Sequence, residues 1–319
     1  MSQSKYTIAC ITPLDHIPEV LERITELSKI CLYRPKISKN ELKQLLRKEC
    51  IHAIFTNPNK QNFILDRDIL SNTSVKLINT ASTGLNHIDL EDCKDLNIDV
   101  LSLTQDYELI RYLPSTSELA FGLALSLIRK IPQSFNDVKL GNWNYEPFVG
   151  RQLAGMTAGI IGYGRLGTYM ARYCNAFGMK VLVNDPYKNV FDYDQVSKKE
   201  LYERCDLISL HVHVKHDTVN MINKEALNLM SKKPYIVNTS RGEIVNEKDM
   251  SEFIRSGGVS GYGTDVLIDE FSSRWKESYI VKLAKESYNV IITPHIGGMS
   301  IEGQKRAYLY AAEKFNRGA

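Results

Sequence analysis

"TAGIIGYGRLGTYMARYCNAFGMKVLVNDPY" runs from Thr157 to Tyr187, and its reading decides the fold. An apolar run, Ala158–Ile161, leads into Gly162-Tyr163-Gly164-Arg165-Leu166-Gly167, which opens a helical stretch. A second β-rich run, Lys180–Asn184, then ends at Asp185, eighteen residues beyond Gly167. Alone, Gly-x-Gly-x-x-Gly is a weak signal. Set between a strand and a helix, with a carboxylate at the end of the next strand, it is the fingerprint of a dinucleotide-binding unit. Gly162 permits the tight turn, Gly164 leaves the backbone bare for a pyrophosphate, and Gly167 lets the helix lie close to the strand. The N–H groups at the helix start, around Arg165 and Leu166, meet the phosphate charge with the positive end of the helix dipole. Asp185 is placed to accept from the adenosine ribose hydroxyls and to repel a 2′-phosphate, which favours NAD over NADP. The competing reading of Asp185 is a turn cap before Pro186, and Lys188 close by works against the NAD preference.

Outward from this stretch the alternation continues. Downstream, Leu207–Val212, Tyr235–Thr239, Gly261–Asp265 and Val290–Thr293 read as strands. Upstream, Tyr6–Ile11, Ile30–Tyr33, Ala53–Thr56, Leu77–Ala81 and Val100–Leu103 do the same, separated by amphipathic segments such as "PEVLERITELS" and "KNELKQLLRKE". Ser38 and Glu41 form a capping-box pattern ahead of the second of these. Strand and helix in alternation predict parallel sheets covered by helices, an α/β fold. "SELAFGLALSLIRKI", from Ser117, is apolar or small almost all round. It is a buried helix, with Ala120, Gly122 and Ala124 allowing another helix to approach, either as ordinary core or as an interface. "EGQKRAYLYAAEKF" reads as a final helix whose packing partner the sequence leaves open.

Length and composition bound the function. The 319 residues, 43% hydrophobic and 24% charged, describe an ordinary globular chain of about two domains. A net charge of +3 is too mild for a nucleic-acid or membrane surface. No apolar run reaches the roughly 20 residues of a membrane span, and the start "MSQSKYTIACITP" lacks the apolar core of a signal peptide. Cys10, Cys31, Cys50, Cys93, Cys174 and Cys205 are scattered without a CxxC pair. This is the pattern of a reducing cytoplasm rather than of disulfides or a cysteine metal site.

Three further groups fall at predicted strand ends, where open α/β sheets bind ligands. "YIVNTSRGEIV" places Arg241 after a strand, "GTDVLIDEF" places Asp265 at a strand end with Glu270 five residues on, and "VIITPHIGG" places His295. Singly, these are a surface cation, a loop charge and a turn histidine. Together, behind a dinucleotide turn, they make a hydride-transfer site. Arg241 offers a bidentate fork to a 2-keto acid, and His295 a proton near neutral pH. Glu270 orients the imidazole, and Asp265 accepts from the nicotinamide carboxamide.

Several motifs in this order resemble the D-isomer-specific 2-hydroxyacid dehydrogenase family, most nearly its phosphoglycerate-dehydrogenase-like branch. They are "GIIGYGRLG", "VNTSRGEIVN", "GTDVLIDE", "TPHIGG" and, more weakly, "STGLNHIDL" and "STSELAFGLALSLIRKIP". The resemblance covers nearly the whole chain. It implies two doubly wound parallel-sheet domains, with a Rossmann coenzyme domain, residues 113–296, inserted in a flavodoxin-like substrate domain, residues 1–112 and 297–319. It also implies a cleft that closes on binding, and a homodimer. By motif match, Arg241, Glu270 and His295 take the catalytic places. The coenzyme residues are Gly162, Gly164, Arg165, Leu166, Gly167, Asp185, His211, Thr239 and Asp265. The backbone N–H groups around Ser82, Thr83 and Gly84 hold the substrate carboxylate.

The chain also departs from the family pattern. Where arginines are common after the strand matching "HAIFT" stand Asn57, Asn59 and Lys60, which weighs against a phosphorylated substrate, although Lys60 could serve a phosphate in part. "TQDYELIRYLPSTSE" is a longer connection than usual and carries Glu108 and Arg111. His213 and Phe271 stand where prolines are usual, the second implying a mobile loop between Glu270 and His295. His211, His213 and His216 lie close together but lack the carboxylate or cysteine of a metal site. No appended regulatory domain is expected. The activity expected is NAD-dependent interconversion of a small D-2-hydroxy acid and its 2-keto acid. The alternatives are 3-phosphoglycerate oxidation and a non-catalytic dinucleotide sensor. Gly297 and Gly298 are a candidate hinge.

Overall fold

A computed structural model describes residues 6–58 and 63–316. Asn59 and Lys60 lie outside the described residues. The chain divides into two compact units, Met1–Leu113 with Met299–Ala319, and Pro114–Gly298.

In the first unit, β1 (Thr7–Cys10), β2 (Ile30–Tyr33), β3 (Ala53–Thr56), β4 (Leu77–Thr80) and β5 (Asp99–Leu101) form a parallel sheet in the order β2-β1-β3-β4-β5. This is the flavodoxin-like order. The two-residue period of the strands sorts their side chains onto two faces. Ile8, Cys10, Ala53, Phe55 and Leu77 enter one core, while Ala9, Ile11, Ile54 and Ile78 enter the other. The final helix, Ile301–Glu313, covers the first of these faces. Phe55 meets Tyr308 and Phe315 with ring centroids 6.1 Å apart. Asn79 Nδ2 donates to the Ala311 carbonyl at 2.7 Å, and Arg23 pairs with Glu313 at 2.6 Å. The capping box forms as the pattern predicts: Ser38 accepts from the Glu41 N–H, and Glu41 from the Ser38 N–H.

His87 is 1% exposed in this unit, its Nε2 3.0 Å from Thr80 Oγ1. Burial pushes its pKa down to about 4. The folded unit therefore holds a neutral imidazole that the unfolded chain, with an ordinary value near 6.5, protonates. Its contribution is complete above about pH 6.5 and is lost as pH falls through 4, on the order of 3 kcal/mol in all. We expect the thermal midpoint to fall between pH 6.5 and 4, and to fall less steeply in His87→Gln. Equal slopes in melting curves recorded by circular dichroism would contradict a buried neutral His87.

The second unit carries seven parallel strands: β6 (Thr157–Ile161), β7 (Lys180–Asn184), β8 (Asp194–Gln195), β9 (Leu207–Leu210), β10 (Tyr235–Asn238), β11 (Gly261–Thr264) and β12 (Val290–Ile292). Their order is β12-β11-β10-β9-β6-β7-β8. The sheet is doubly wound, its order reversing between β6 and β9, and a ligand crevice forms at the carboxyl ends there. The strand β8 has no apolar run to announce it; both its residues are exposed and it pairs only at the edge.

The helix Ser115–Ile128 begins two residues before the predicted start. It buries Ala120, Leu123, Ala124, Leu127 and Ile128 against the helix Arg165–Ala176 and the strands β10 and β11. Ala120 and Ala124 are fully buried. Gly122 is not part of a close approach: a Cβ built there meets nothing within 4 Å. The helix is apolar all round in sequence but buries one face within this unit.

Candidate active site

The turn after β6 is shaped as the glycine spacing predicts. Gly162 has φ +90°, and a Cβ there would lie 2.4 Å from the His211 carbonyl oxygen. A Cβ on Gly167 would lie 1.9 Å from the Gly162 carbonyl oxygen, so the helix Arg165–Ala176 sits directly on the turn. Around Gly164 there is open space. Gly164 caps the helix without any side-chain bond, so the first N–H groups point their dipole at that opening. Leu166 is anchored from behind, its carbonyl accepting from Ser117 Oγ at 2.8 Å. Arg165 is half-buried, and burial lowers its pKa.

We expect Gly167→Ala to lose NADH binding, because the methyl group meets backbone and not a flexible side chain. The measurement is an NADH fluorescence titration alongside a melting curve. An affinity unchanged in a folded Gly167→Ala protein would contradict the tight seat of the helix on the turn.

Asp185 is 9% exposed. Its carboxylate accepts from the Tyr163 N–H at 2.8 Å and the Tyr187 N–H at 2.9 Å. The turn-cap reading is therefore true of one oxygen, while the other ties β7 to the glycine turn. Two buried polar atoms at neighbouring strand ends, His211 Nδ1 and Thr239 Oγ1, have no partner among the described residues. Burial pushes His211 down to about 4, so its ring is neutral, with Nε2 2.9 Å from Ser209 Oγ. Unpaired buried polar atoms are costly unless a ligand satisfies them. The open space at Gly164, the uncapped helix start and these two atoms all fit an extended, phosphate-bearing dinucleotide. His213 and His216 are exposed, and no metal-binding cluster occurs among the described residues.

Farther along the sheet, β10, β11 and β12 are adjacent, with Asn238, Thr264 and Ile292 in register. Arg241, Asp265 and His295 therefore leave three neighbouring strand ends. Arg241 donates to the Ser240 carbonyl at 2.6 Å, and among the described residues no carboxylate pairs with it. A Cβ on Gly242 would lie 2.2 Å from the Leu267 backbone, so the Arg241 turn rests against the loop that carries Glu270. Glu270 Oε1 lies 2.9 Å from His295 Nδ1. With the Glu270 carboxylate accepting, Nδ1 carries the proton of this bond and Nε2 has no part in it. The Phe271 ring stands 6.4 Å from the imidazole, centroid to centroid. The residue that replaces proline thus packs on the histidine.

His295 has φ +54°, a left-handed backbone uncommon outside glycine. Asp265 holds it there. Its backbone carbonyl accepts from the His295 N–H at 2.9 Å. Its carboxylate accepts from Thr293 Oγ1 at 2.5 Å, the Ile296 N–H at 2.8 Å and the Gly297 N–H at 2.7 Å. Asp265 is 1% exposed, and burial raises its pKa against these bonds. The sequence reading aimed Asp265 at the nicotinamide; in the fold, three of its acceptor positions serve the His295 turn. Thr293 is a site residue that strand-end reasoning missed, although its place two residues before the histidine marks it.

The turn at Ser82, Thr83 and Gly84 lies past the carboxyl end of β4 in the first unit. Leu103 N–H donates to the Ser82 carbonyl at 2.9 Å, and Thr104 Oγ1 to that of Thr83 at 3.2 Å. The Gly84 N–H donates to Ser82 Oγ at 2.9 Å.

Residues 121–297 match the model of the D-isomer specific 2-hydroxyacid dehydrogenase NAD binding domain. The chain belongs to the D-isomer-specific 2-hydroxyacid dehydrogenase family. Among relatives of this dehydrogenase, the hydroxypyruvate reductase of Thermotoga maritima is 30% identical over 98% of this chain and 97% of that protein. The D-3-phosphoglycerate dehydrogenase of Methanocaldococcus jannaschii is 33% identical over 79% of this chain, but over only 47% of its own length. The structure of a D-lactate dehydrogenase from Aquifex aeolicus, complexed with NAD and lactic acid, superposes with a TM-score of 0.73. That structure is 29% identical and matches 98% of this chain and 95% of its own. The dehydrogenase is an NAD-dependent oxidoreductase with its coenzyme fold in the second unit.

Proposed function

We propose that this dehydrogenase reduces a small, unphosphorylated 2-keto acid to the D-2-hydroxy acid. The observation that carries the reading is the His295–Glu270 pair at 2.9 Å, one strand beyond Asp265 and two beyond an Arg241 without a carboxylate partner. Bound NADH supplies the hydride. Arg241 takes the substrate carboxylate and carbonyl oxygen in its planar fork. His295 Nε2 gives a proton to that oxygen as negative charge develops on it, and Glu270 stabilises the imidazolium beforehand. The single acceptor position left on the Asp265 carboxylate serves the carboxamide. Gly162, Gly164, Arg165, Leu166, Gly167, Asp185, His211 and Thr239 hold the coenzyme, while Ser82, Thr83 and Gly84 help hold the substrate carboxylate. Residues 113–296 act as coenzyme domain, and 1–112 with 297–319 as substrate domain.

Asn57 supports the unphosphorylated substrate. It stands just past β3, buried and donating towards the Ala81 carbonyl at 3.4 Å, and brings no charge to a phosphate. The activity of the Thermotoga maritima relative, a hydroxypyruvate reductase, points to the same size of substrate. The test is NADH oxidation with hydroxypyruvate, glyoxylate, pyruvate, oxaloacetate, 2-oxoglutarate and phosphohydroxypyruvate. Preference for a small unphosphorylated acid is expected. Preference for phosphohydroxypyruvate would move the protein to phosphoglycerate metabolism, and tight NADH binding without any turnover to a sensor.

A homodimer is supported by an apolar stretch that the second unit leaves uncovered. Trp143 is 91% exposed, and Phe135, Leu140 and Tyr145 are also exposed; such a patch marks an interface. Light scattering should give twice the chain mass, with Leu140→Ser/Trp143→Ser shifted towards the monomer; a monomeric unaltered protein would contradict this. Six unpaired cysteines support a cytoplasmic setting. No helix among the described residues is long and apolar enough to cross a membrane.

A further inference from the structure

The two chains that leave β7 and β9 meet over the end of β6, the strand between them. The contact is a cation over a ring: Lys215 Nζ lies 4.5 Å from the Tyr187 ring centroid. Both turns are fastened. On the β7 side, Gln195 Nε2 donates to the carbonyls of Asp185 at 2.9 Å and Lys188 at 2.8 Å. On the β9 side, the Lys215 N–H donates to Thr218 Oγ1 at 2.7 Å, and that hydroxyl donates to the His213 carbonyl at 2.7 Å. Lys188 Nζ donates to the Tyr163 carbonyl at 3.2 Å, beside the N–H that Asp185 binds. Among the described residues no carboxylate pairs with Lys188 or Lys215. Two ammonium groups without a carboxylate partner thus sit on the turns at this rim, and the Asp185 carboxylate accepts from two backbone N–H groups. Tyr187, 72% exposed, presents its ring as the bracket that keeps Lys215 at this rim.

We propose that Lys215, bracketed by Tyr187 and seconded by Lys188, is a specificity-determining residue for the coenzyme. These cations offset the repulsion of Asp185 and let the rim accept the 2′-phosphate of NADP(H) alongside NAD(H). The proposal rests on the placement of the adenosine ribose at Asp185. A unit charge a few ångström from a phosphate at a protein surface changes affinity by about tenfold, and salt screens it.

The test is fluorescence titration of NADH and NADPH against the unaltered protein and Lys215→Glu, Lys188→Glu, Tyr187→Leu and Asp185→Asn. NADPH is expected to bind within about tenfold of NADH. Lys215→Glu should widen the gap by about tenfold or more through NADPH alone, and Tyr187→Leu by about threefold. High salt should weaken NADPH more than NADH. A gap beyond about 100-fold in the unaltered protein, or a Lys215→Glu effect equal on both coenzymes, would overturn the proposal. Asp185→Asn separates the two layers. If it tightens NADPH while Lys215→Glu changes nothing, the lysine assignment alone fails. If neither changes the gap, the ribose placement fails with it.

Discussion

His295→Ala should bind NADH as the unaltered protein does and reduce 2-keto acids about 10²–10⁴-fold more slowly, the usual worth of a positioned acid–base group. Two features make the variant clean. The turn that carries the residue is held by Asp265 through Thr293, Ile296 and Gly297, bonds that do not involve the imidazole. Alanine keeps these anchors, which hold the turn at its left-handed φ. Moreover, β12 lies four strands from β6, roughly 19 Å at the usual strand spacing, so the phosphate-binding turn does not sense the change. Coenzyme affinity by fluorescence and turnover by absorbance separate the two effects. Turnover within threefold of the unaltered rate would remove His295 from the mechanism.

The second large effect is expected for Arg241→Lys. Lysine keeps the charge but not the fork, and one ammonium cannot match both the carboxylate and the adjacent carbonyl oxygen. The backbone is held independently, Asn238 Nδ2 donating to the Arg241 carbonyl at 2.9 Å, so the loss reads as substrate recognition. We expect kcat/KM for the keto acid to fall by about 10²–10³, on the scale of losing one partner of a desolvated charge pair, with most of the change in KM at saturating NADH. A change in NADH affinity of the same size would instead place Arg241 in the coenzyme site.

Much of this arrangement is legible in the chain before any coordinates. Strands buried on both faces, such as Ala53–Thr56 and Leu207–Leu210, read as short runs that are apolar but for one small hydroxyl residue each. The glycine turn reads through backbone sterics alone. What is illegible depends on partners distant in sequence. The role of Asp265 is set by residues 293–297, some thirty positions on, and a single carboxylate looks the same whether it faces a ligand or its own fold. Gly84 differs: the Ser82 hydroxyl that takes its N–H is only two residues away, yet the pairing is a matter of rotamer. The edge strand Asp194–Gln195 has no hydrophobic signal because its residues are never buried. Gly122 shows the converse, since a small residue in an apolar helix faces open space as readily as a neighbour.

With hydride reaching the keto carbon while the protein delivers the proton to its oxygen, reduction should give one configuration of the 2-hydroxy acid. Reduction of the preferred 2-keto acid with NADH carrying deuterium at the transferred position tests this directly, with the product resolved by chiral chromatography and mass spectrometry. The expected product is the D-2-hydroxy acid with a single deuterium at C2. An L-product, or a product without deuterium at C2, would contradict it.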